Sequence, residues 1–343
     1  MLNRRQSVLC FAGTGLSVLG GIQLCRADAL PPRRGVKLDS STAPLVKLLE
    51  DTPREHLQAM LVRQMKKGVP YRKLLEAAFL YPVLWQGHHS VYLVHAAHQL
   101  SLDVPSRDRL LPLFWAVDVM KEHVTRFKYV KVDAIDEKQL PSAQKAEQEF
   151  HAAMENQDLQ NAVHAVTALS RVIGPKPTFH KVLHYAPRDH SFIGHVPIAI
   201  VNARRVLDVI GWRHAEFVLR WVMGQMFGER MYPLEKQSYP NNLEHVKRCV
   251  AELPIDWADS QSSNESAREL YDLMLKGRWW IANQWIEKEL KSGRIKAGTA
   301  WDAIHLACAD LMICHKSGGK RLGNLALHSN TCVNALHYVF RSI

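Results

Sequence analysis

The sequence lacks the short motifs that mark several common catalytic and metal-binding folds. It contains six cysteines in 343 residues but neither a Cys-x-x-Cys pair nor the spacing of a zinc ribbon, which excludes the usual zinc fingers. No Gly-x-Gly-x-x-Gly follows a strand pattern and no Gly-x-Ser-x-Gly occurs, so neither a dinucleotide-binding unit nor a hydrolase nucleophile elbow is indicated. His-Glu-x-x-His and repeated Glu-x-x-His are also missing, which argues against a zincin and against a carboxylate-bridged di-iron site.

Strand patterns are equally scarce, and helical patterns replace them. No run of alternating apolar and polar residues is bounded by hairpin turns. Apolar residues instead recur at helical spacing in nearly every segment. The sequence therefore predicts an all-α protein in which antiparallel helix pairs form a helical bundle or an irregular helical-repeat array.

Breaks in the helical pattern predict how the chain is divided. Thr52 is the predicted N-cap of one helix, which ends at Gly68, and Gly174 ends another. Residues 30–343 are expected to form a single helical domain. Two polar segments, 128–140 and 229–242, are predicted loops, and each is a candidate sub-boundary.

Residues 1–29 have the three regions of a signal peptide. Arg4 and Arg5 precede a Gly-rich apolar run, and Ala27-Asp28-Ala29 fits an A-x-A cleavage pattern. The paired arginines resemble those of a twin-arginine signal, although Ser7 stands where Phe is usual. We therefore expect a periplasmic or otherwise exported protein with no stable membrane span after cleavage, because the apolar run is short. An uncleaved interfacial anchor is the alternative.

The net charge of +11 and the pI near 9.4 come from lysines and arginines that are spread along the chain and mixed with acidic residues. This distribution favours a solvated basic surface, and we expect no nucleic-acid partner. Four cysteines lie beyond the predicted signal. We expect Cys308 and Cys314 to be small buried core residues rather than disulfide partners.

Histidine is the residue that this sequence concentrates. Histidines cluster in 88–100, in 179–195 and, more loosely, in 303–315 and 327–338, all within largely apolar segments. His95 and His98 are three residues apart, as are Asp302 and His305, so each pair shares one helix face. A buried imidazole needs a partner for at least one ring nitrogen, so these clusters are the places where chemistry is expected.

Three interpretations of the histidines remain open: metal ligands, metal-free acid–base groups, and structural histidines bonded to backbone carbonyls. For a metal, iron, copper or zinc suits imidazole, and Asp302 would orient His305. We expect the clusters to converge on one buried site. The candidate metal ligands are His95, His98, His195 and His305, and the candidate catalytic residues are His190, His305 and Asp302.

Two C-terminal stretches, "WDAIHLACADLM" and "LALHSNTCVNALHYVFR", together with "DHSFIGH" upstream, resemble the questin-oxidase-like proteins. The resemblance covers about 60 residues in two pieces. It implies a helical, His-rich fold and oxidative ring opening of anthraquinones with NADPH as cofactor. It assigns no role to an individual residue of this chain.

Together these features predict an exported helical protein that is an oxygenase-like oxidoreductase. Its substrate would be a small apolar or aromatic molecule bound at a buried histidine-lined site, the usual construction of a small-molecule pocket. The alternative is a protein without enzymatic activity, either a periplasmic metal or haem carrier or a helical scaffold. The oligomeric state is left open.

Overall fold

The computed structural model describes residues 38–87, 89–127, 131–132, 134–188, 191–228, 239–277, 279–314 and 320–343. Helices account for most of these residues, and none of them belongs to a strand. The prediction of an all-α fold is therefore confirmed. The predicted signal peptide, residues 1–29, lies outside the described residues.

The chain divides into two compact units. The described part of the first unit lies within residues 24–182 and 198–229, and that of the second within 183–197 and 230–343. The longer segment of the second unit, 230–343, begins inside the predicted loop 229–242. Whether the protein counts as one domain stays a prediction.

Helices α1 to α8 and α10 belong to the first unit, except for the last residue of α8. Helix α9 is divided between the two units. Its residues up to Pro197 belong to the second unit, and the rest belong to the first. Their bounds are α1 Ala43–Asp51, α2 Leu57–Lys66, α3 Tyr71–Leu84, α4 His89–Asp103, α5 Leu111–Phe127, α6 Ala146–Asn156, α7 Leu159–Ile173, α8 Pro175–Leu183, α9 Ser191–Ile210 and α10 Ala215–Gly228.

Helices α11 to α15 belong to the second unit. Their bounds are α11 Tyr239–Val250, α12 Asn264–Leu275, α13 Trp279–Lys291, α14 Ala297–Cys314 and α15 Lys320–Ser342. Four short 3-10 helices complete the described elements: Arg54–His56, Ser106–Asp108, Glu137–Gln139 and Ala186–Arg188.

Local sequence explains most of the helix ends. The side chain of Asp158 accepts a hydrogen bond from the backbone N–H of Asn161 at the start of α7, and Ser263 does the same for α12, as N-caps do. Helix α7 ends before Gly174, and α2 ends two residues before Gly68, as predicted. The prediction for Thr52 is wrong: it follows α1, and its hydroxyl donates to the carbonyl of Leu48.

The first unit is built from helices that pack in pairs. Helix α6 turns at residues 157–158 and packs back on α7, α7 packs on α10, α4 on α5, and α1 on α3. Its largest fully buried side chains include Phe79, Phe150, Phe179 and Trp221. The indole N–H of Trp221 donates to the carbonyl of Gly87 at 2.8 Å, so this large side chain is buried with its polar atom satisfied.

The second unit centres on α14, which packs against both α12 and α15. One apolar cluster contains Leu270 of α12 together with Ala300 and Ala303 of α14, and a second contains Leu290 and Ile295. The small residues of α14 bring its backbone close to its neighbours. This packing places the face of α14 that carries His305 beside α15.

Both predicted loops contain helix. In 128–140, residues 137–139 form a 3-10 helix that Asp136 caps. In 229–242, residues 239–242 already belong to α11, and the rest of the segment up to 238 lies outside the described residues.

The four cysteines of the described residues are free thiols: Cys249, Cys308, Cys314 and Cys332. Cys308 is buried, as predicted. Cys314 is exposed, so its predicted burial is wrong. No described helix has both the length and the hydropathy to span a membrane.

Candidate functional site

The most tightly defined histidine pair lies in the second unit and joins the start of α9 to α15. His195 is 3% exposed, and its Nε2 lies 2.8 Å from Nε2 of His328. Nδ1 of His328 lies 2.7 Å from the backbone carbonyl of Asn324. Because a carbonyl only accepts, Nδ1 of His328 carries its proton. Nε2 of the neutral ring then accepts from the Nε2–H of His195, and this assignment follows from the hydrogen-bond network.

The charge state of His328 agrees with this assignment. Burial lowers the pKa of His328, the hydrogen bond to Asn324 opposes that shift, and the nearby His195 adds to it. The pKa therefore lies below the usual value of about 6.5, and His328 is neutral at pH 7. A neutral imidazole can bind a metal or accept a proton.

A glycine allows the two helices to approach closely at this pair. Gly194 has a φ of +82°, and a Cβ atom there would lie 2.7 Å from Cβ of Cys332. Cys332 is one turn after His328 on α15. Ile193 also has a positive φ, +56°, which is strained for a β-branched residue. Burial raises the pKa of the Cys332 thiol to about 11, so this sulfur is a neutral packing atom rather than a nucleophile.

A second histidine pair joins α14 to α15. Nε2 of His305 lies 3.0 Å from Nδ1 of His337. The indole of Trp301 stacks flat on the His337 ring, with centroids 4.7 Å apart and planes at 7°. Burial is the largest cause that lowers the pKa of both His305 and His337, so both are neutral at pH 7.

The two pairs lie on opposite sides of α15. His328 and His337 are nine residues apart, which at 3.6 residues per turn is about half a turn beyond two full turns, and the rise between them is about 13.5 Å. His195 and His305 therefore have different partners. One ion bound between two imidazoles at metal–nitrogen distances of about 2.0–2.1 Å does not bridge such a separation.

Asp302 is exposed, on the turn of α14 that precedes His305. The hydrogen-bond partner of His305 is His337 rather than Asp302. The negative charge of Asp302 nevertheless opposes the effect of burial on the pKa of His305 and of His337. Its influence in this structure is thus electrostatic. His190, the remaining predicted catalytic residue, lies outside the described residues.

His95 and His98 lie on α4, in the first unit. Burial, the charge of Arg205 and the neighbouring His98 lower the pKa of His95 to about 4. Nδ1 of His98 lies 3.3 Å from the Tyr71 hydroxyl, and the two rings stack with centroids 5.8 Å apart. His195 and His305 pair with different histidines and do not share one ion, contrary to the predicted single centre. The part of His95 and His98 in such a centre stays a prediction.

A buried cluster in the first unit was not predicted from the sequence. Nε2 of His214 lies 3.0 Å from Oδ2 of Asp39 and 3.3 Å from Oε1 of Glu76, and one ligand atom from each residue lies within 4.8 Å of the others. Lys73 and Arg213 already form ion pairs with its carboxylates. This cluster is therefore a neutralised ion network, although its atoms are of metal-ligand type. Its members are far apart in sequence, so no spacing signal marks them.

A third group, in the second unit, combines His245 and Cys249 of α11 with Glu287 of α13. The His245 and Cys249 spacing of four residues puts both on one helix face, a signal that the sequence does contain. Several groups of His, Cys, Asp and Glu side chains could thus hold a metal ion.

No family model, no curated protein and no solved structure matches this chain.

Proposed function

We propose that the protein is an oxygenase-like oxidoreductase acting on a small apolar or aromatic molecule, with a transition metal held by His195 and His328. The observation that carries the proposal is the 2.8 Å approach of the two Nε2 atoms, because this separation is close to that of two nitrogens bound to one ion. Two imidazoles on one ion, at metal–nitrogen distances of about 2.0–2.1 Å, have their nitrogens about 2.9 Å apart at a right angle and about 3.4 Å apart at a tetrahedral angle. Replacing the shared proton by a metal therefore lengthens the nitrogen–nitrogen distance by about 0.1–0.6 Å and turns both rings toward the ion.

The surroundings of His328 support the same role. Metal-bound histidines usually donate their second ring N–H to a carbonyl or carboxylate, which fixes the tautomer, and Nδ1 of His328 is hydrogen-bonded to the Asn324 carbonyl. Iron or copper in such a site would supply one-electron and dioxygen chemistry. The resemblance to questin-oxidase-like proteins supports an aromatic substrate and NADPH as the electron donor.

The decisive experiment is metal analysis by mass spectrometry of the purified full-length chain and of His195→Ala and His328→Ala. Both variants are expected to lose the metal while retaining the helical circular dichroism of the parent. His337→Ala is the matched control, because it removes an imidazole from the same helix but from the other pair, and it should keep the metal. NADPH-dependent oxygen uptake with hydroxylated aromatic compounds then tests for turnover.

Metal-free parent protein, or metal retained by both His195→Ala and His328→Ala, would contradict the metal role of this pair. The same substitutions would then lower the melting temperature alone, since each removes the hydrogen bond between the two imidazoles, at about 0.5–1.5 kcal/mol.

A metal carrier without enzymatic activity is the second candidate. The group His245–Cys249–Glu287 favours it, since it brings three ligand-type atoms together. Metal bound without any oxygen uptake in the presence of NADPH and aromatic compounds would favour the carrier.

Export through the twin-arginine route belongs to the same proposal, because that route carries folded proteins that have already acquired a cofactor. The mature protein is expected to begin at Leu30. Replacing Arg4 and Arg5 with lysines should leave the precursor in the cytoplasm, as measured by cell fractionation. Unchanged export of the lysine variant would count against this route.

A further inference from the structure

We propose that His245, Cys249 and Glu287 form a separate binding site for a zinc-type divalent cation. The site lies between α11 and α13 of the second unit and takes two ligands from one helix and one from the other. Nε2 of His245 lies 2.9 Å from Oε2 of Glu287 and 3.4 Å from Sγ of Cys249. One ligand atom of each residue lies within 4.8 Å of the others.

These separations are close to the edges of a tetrahedral coordination sphere. With Zn–N and Zn–S distances of about 2.0–2.1 and 2.3 Å, a sulfur and a nitrogen on one zinc ion are about 3.6 Å apart, and a nitrogen and an oxygen about 3.4 Å. The sulfur–nitrogen distance needs almost no change. The nitrogen–oxygen distance needs about half an ångström, which a side-chain torsion can supply because His245 is partly exposed.

The chemistry of the three ligands selects the cation. When the cation binds, the Cys249 thiol releases its proton to solvent. The resulting thiolate, with one imidazole and one carboxylate, suits zinc and its neighbours, whereas calcium and magnesium take oxygen ligands. Three protein ligands leave the fourth position to water. Such an open site differs from the closed four-ligand sites that only stabilise a fold.

Lys291 sets the orientation of the carboxylate. Its Nζ lies 2.6 Å from Oε1 of Glu287 and 3.0 Å from Glu252. This contact occupies one oxygen of Glu287 and leaves Oε2 directed at His245. A cation can therefore bind at Oε2 while Lys291 keeps its place, and the lysine acts as a positioning residue.

The test uses Co²⁺ as a spectroscopic probe on the metal-free full-length chain. Thiolate bound to Co²⁺ gives a near-ultraviolet charge-transfer band that imidazoles alone do not give, so the band separates this site from the His195–His328 pair. We expect one equivalent of Co²⁺ to produce the band and Zn²⁺ to abolish it by displacement. Cys249→Ser should remove the band, and His245→Ala should weaken Co²⁺ binding by about 10–100-fold or more, comparable with lost metal-site interactions elsewhere.

Cys314→Ser is the matched control, because Cys314 is also a free thiol on a helix with a carboxylate, Asp310, four residues earlier. It should keep the band. As an independent measurement, Zn²⁺ should protect Cys249 but not Cys314 from alkylation, as read by mass spectrometry. A band that is absent from the parent, survives Cys249→Ser, or is lost in Cys332→Ser would overturn the proposal. Loss of metal in His195→Ala with the thiolate band intact would leave this site standing and separate it from the proposed oxidoreductase centre.

Discussion

At the scale of single residues, Gly194 decides whether α9 and α15 can approach closely enough to pair His195 with His328. Gly194→Ala adds a Cβ atom 2.7 Å from Cβ of Cys332 at a φ of +82°. We expect the free energy of unfolding to fall by about 2–4 kcal/mol, the sum of overpacking and left-handed strain. Chemical denaturation followed by circular dichroism measures it.

Gly277→Ala is the control for this substitution. Gly277 lies in the same unit at a φ of +67°, with no atom within 4 Å of a Cβ built there. Its cost should be the strain alone, about 1–2 kcal/mol. Equal losses for the two variants would mean that the contact with Cys332 is unimportant.

The sequence predicts single residues well where the cause is local. The helix ends near Gly68 and Gly174 follow from the glycines themselves. The hydrogen-bond partners of His195 and His305 do not follow from local sequence. These partners, His328 and His337, come near them only because α15 packs against the helices that carry them. Thr52 is a second residue whose role the sequence does not determine. A threonine between two helices can cap the one that follows or bond to the one that precedes it. Thr52 donates to the carbonyl of Leu48, in the helix that precedes it.

At the scale of elements, Arg171 ties three segments of the first unit together. Its guanidinium is 1% exposed and forms hydrogen bonds with Glu137 of a 3-10 helix and Glu216 of α10. Arg171→Ala should lower the free energy of unfolding by about 2–4 kcal/mol, because it removes the buried positive charge that Arg171 supplies to two partly buried carboxylates. Thermal and denaturant unfolding measure the change.

Arg54→Ala provides the exposed counterpart. Arg54 also bridges two carboxylates, Asp118 and Glu122, but its side chain is 45% exposed. The expected loss is much smaller than for Arg171→Ala, since surface ion pairs are weak and screened by salt. If Arg54→Ala cost as much as Arg171→Ala, burial would not be what makes the Arg171 network stabilising.

Helical periodicity predicted the elements better than it predicted their contacts. The all-α prediction and the helix ends near Gly68 and Gly174 are confirmed. The start of α11 was missed because Tyr239, Pro240 and two asparagines look like a turn. Proline is tolerated in a first helical turn, since its missing N–H would be unpaired there anyway.

At the scale of the whole molecule, buried neutral histidines should set the acid limit of stability. Burial lowers the pKa of several histidines, and that of His95 reaches about 4; the others are His98, His164, His180, His305, His328 and His337. Between pH 6.5 and about 4 the unfolded chain binds more protons than the folded chain. The free energy of unfolding therefore falls as the pH falls through this window, by roughly 2–3 kcal/mol for His95.

His95→Gln tests this origin, because glutamine does not titrate. The variant should show a flatter dependence of melting temperature on pH between 6.5 and 4. A slope that is identical in the parent protein and in His95→Gln would show that His95 does not contribute to it.

The division into two units was only partly foreseeable. The segment 229–242 was a candidate sub-boundary because it is polar and proline-containing. The assignment of residues 183–197 to the second unit could not be foreseen from the sequence. Helix α9 continues through Pro197, and the composition does not change there. Contacts between distant segments define this division, and no local pattern encodes them.

The two histidine pairs share α15, so any energetic coupling between them is reciprocal. A rotation or slide of α15 that opens His195–His328 for an ion must also change the distance between His305 and His337, because a helix moves as a rigid rod over nine residues. If occupancy of the first pair alters the affinity at the second by some factor, the second alters the first by the same factor. Titrating one pair in a protein whose other pair is removed would measure that factor directly.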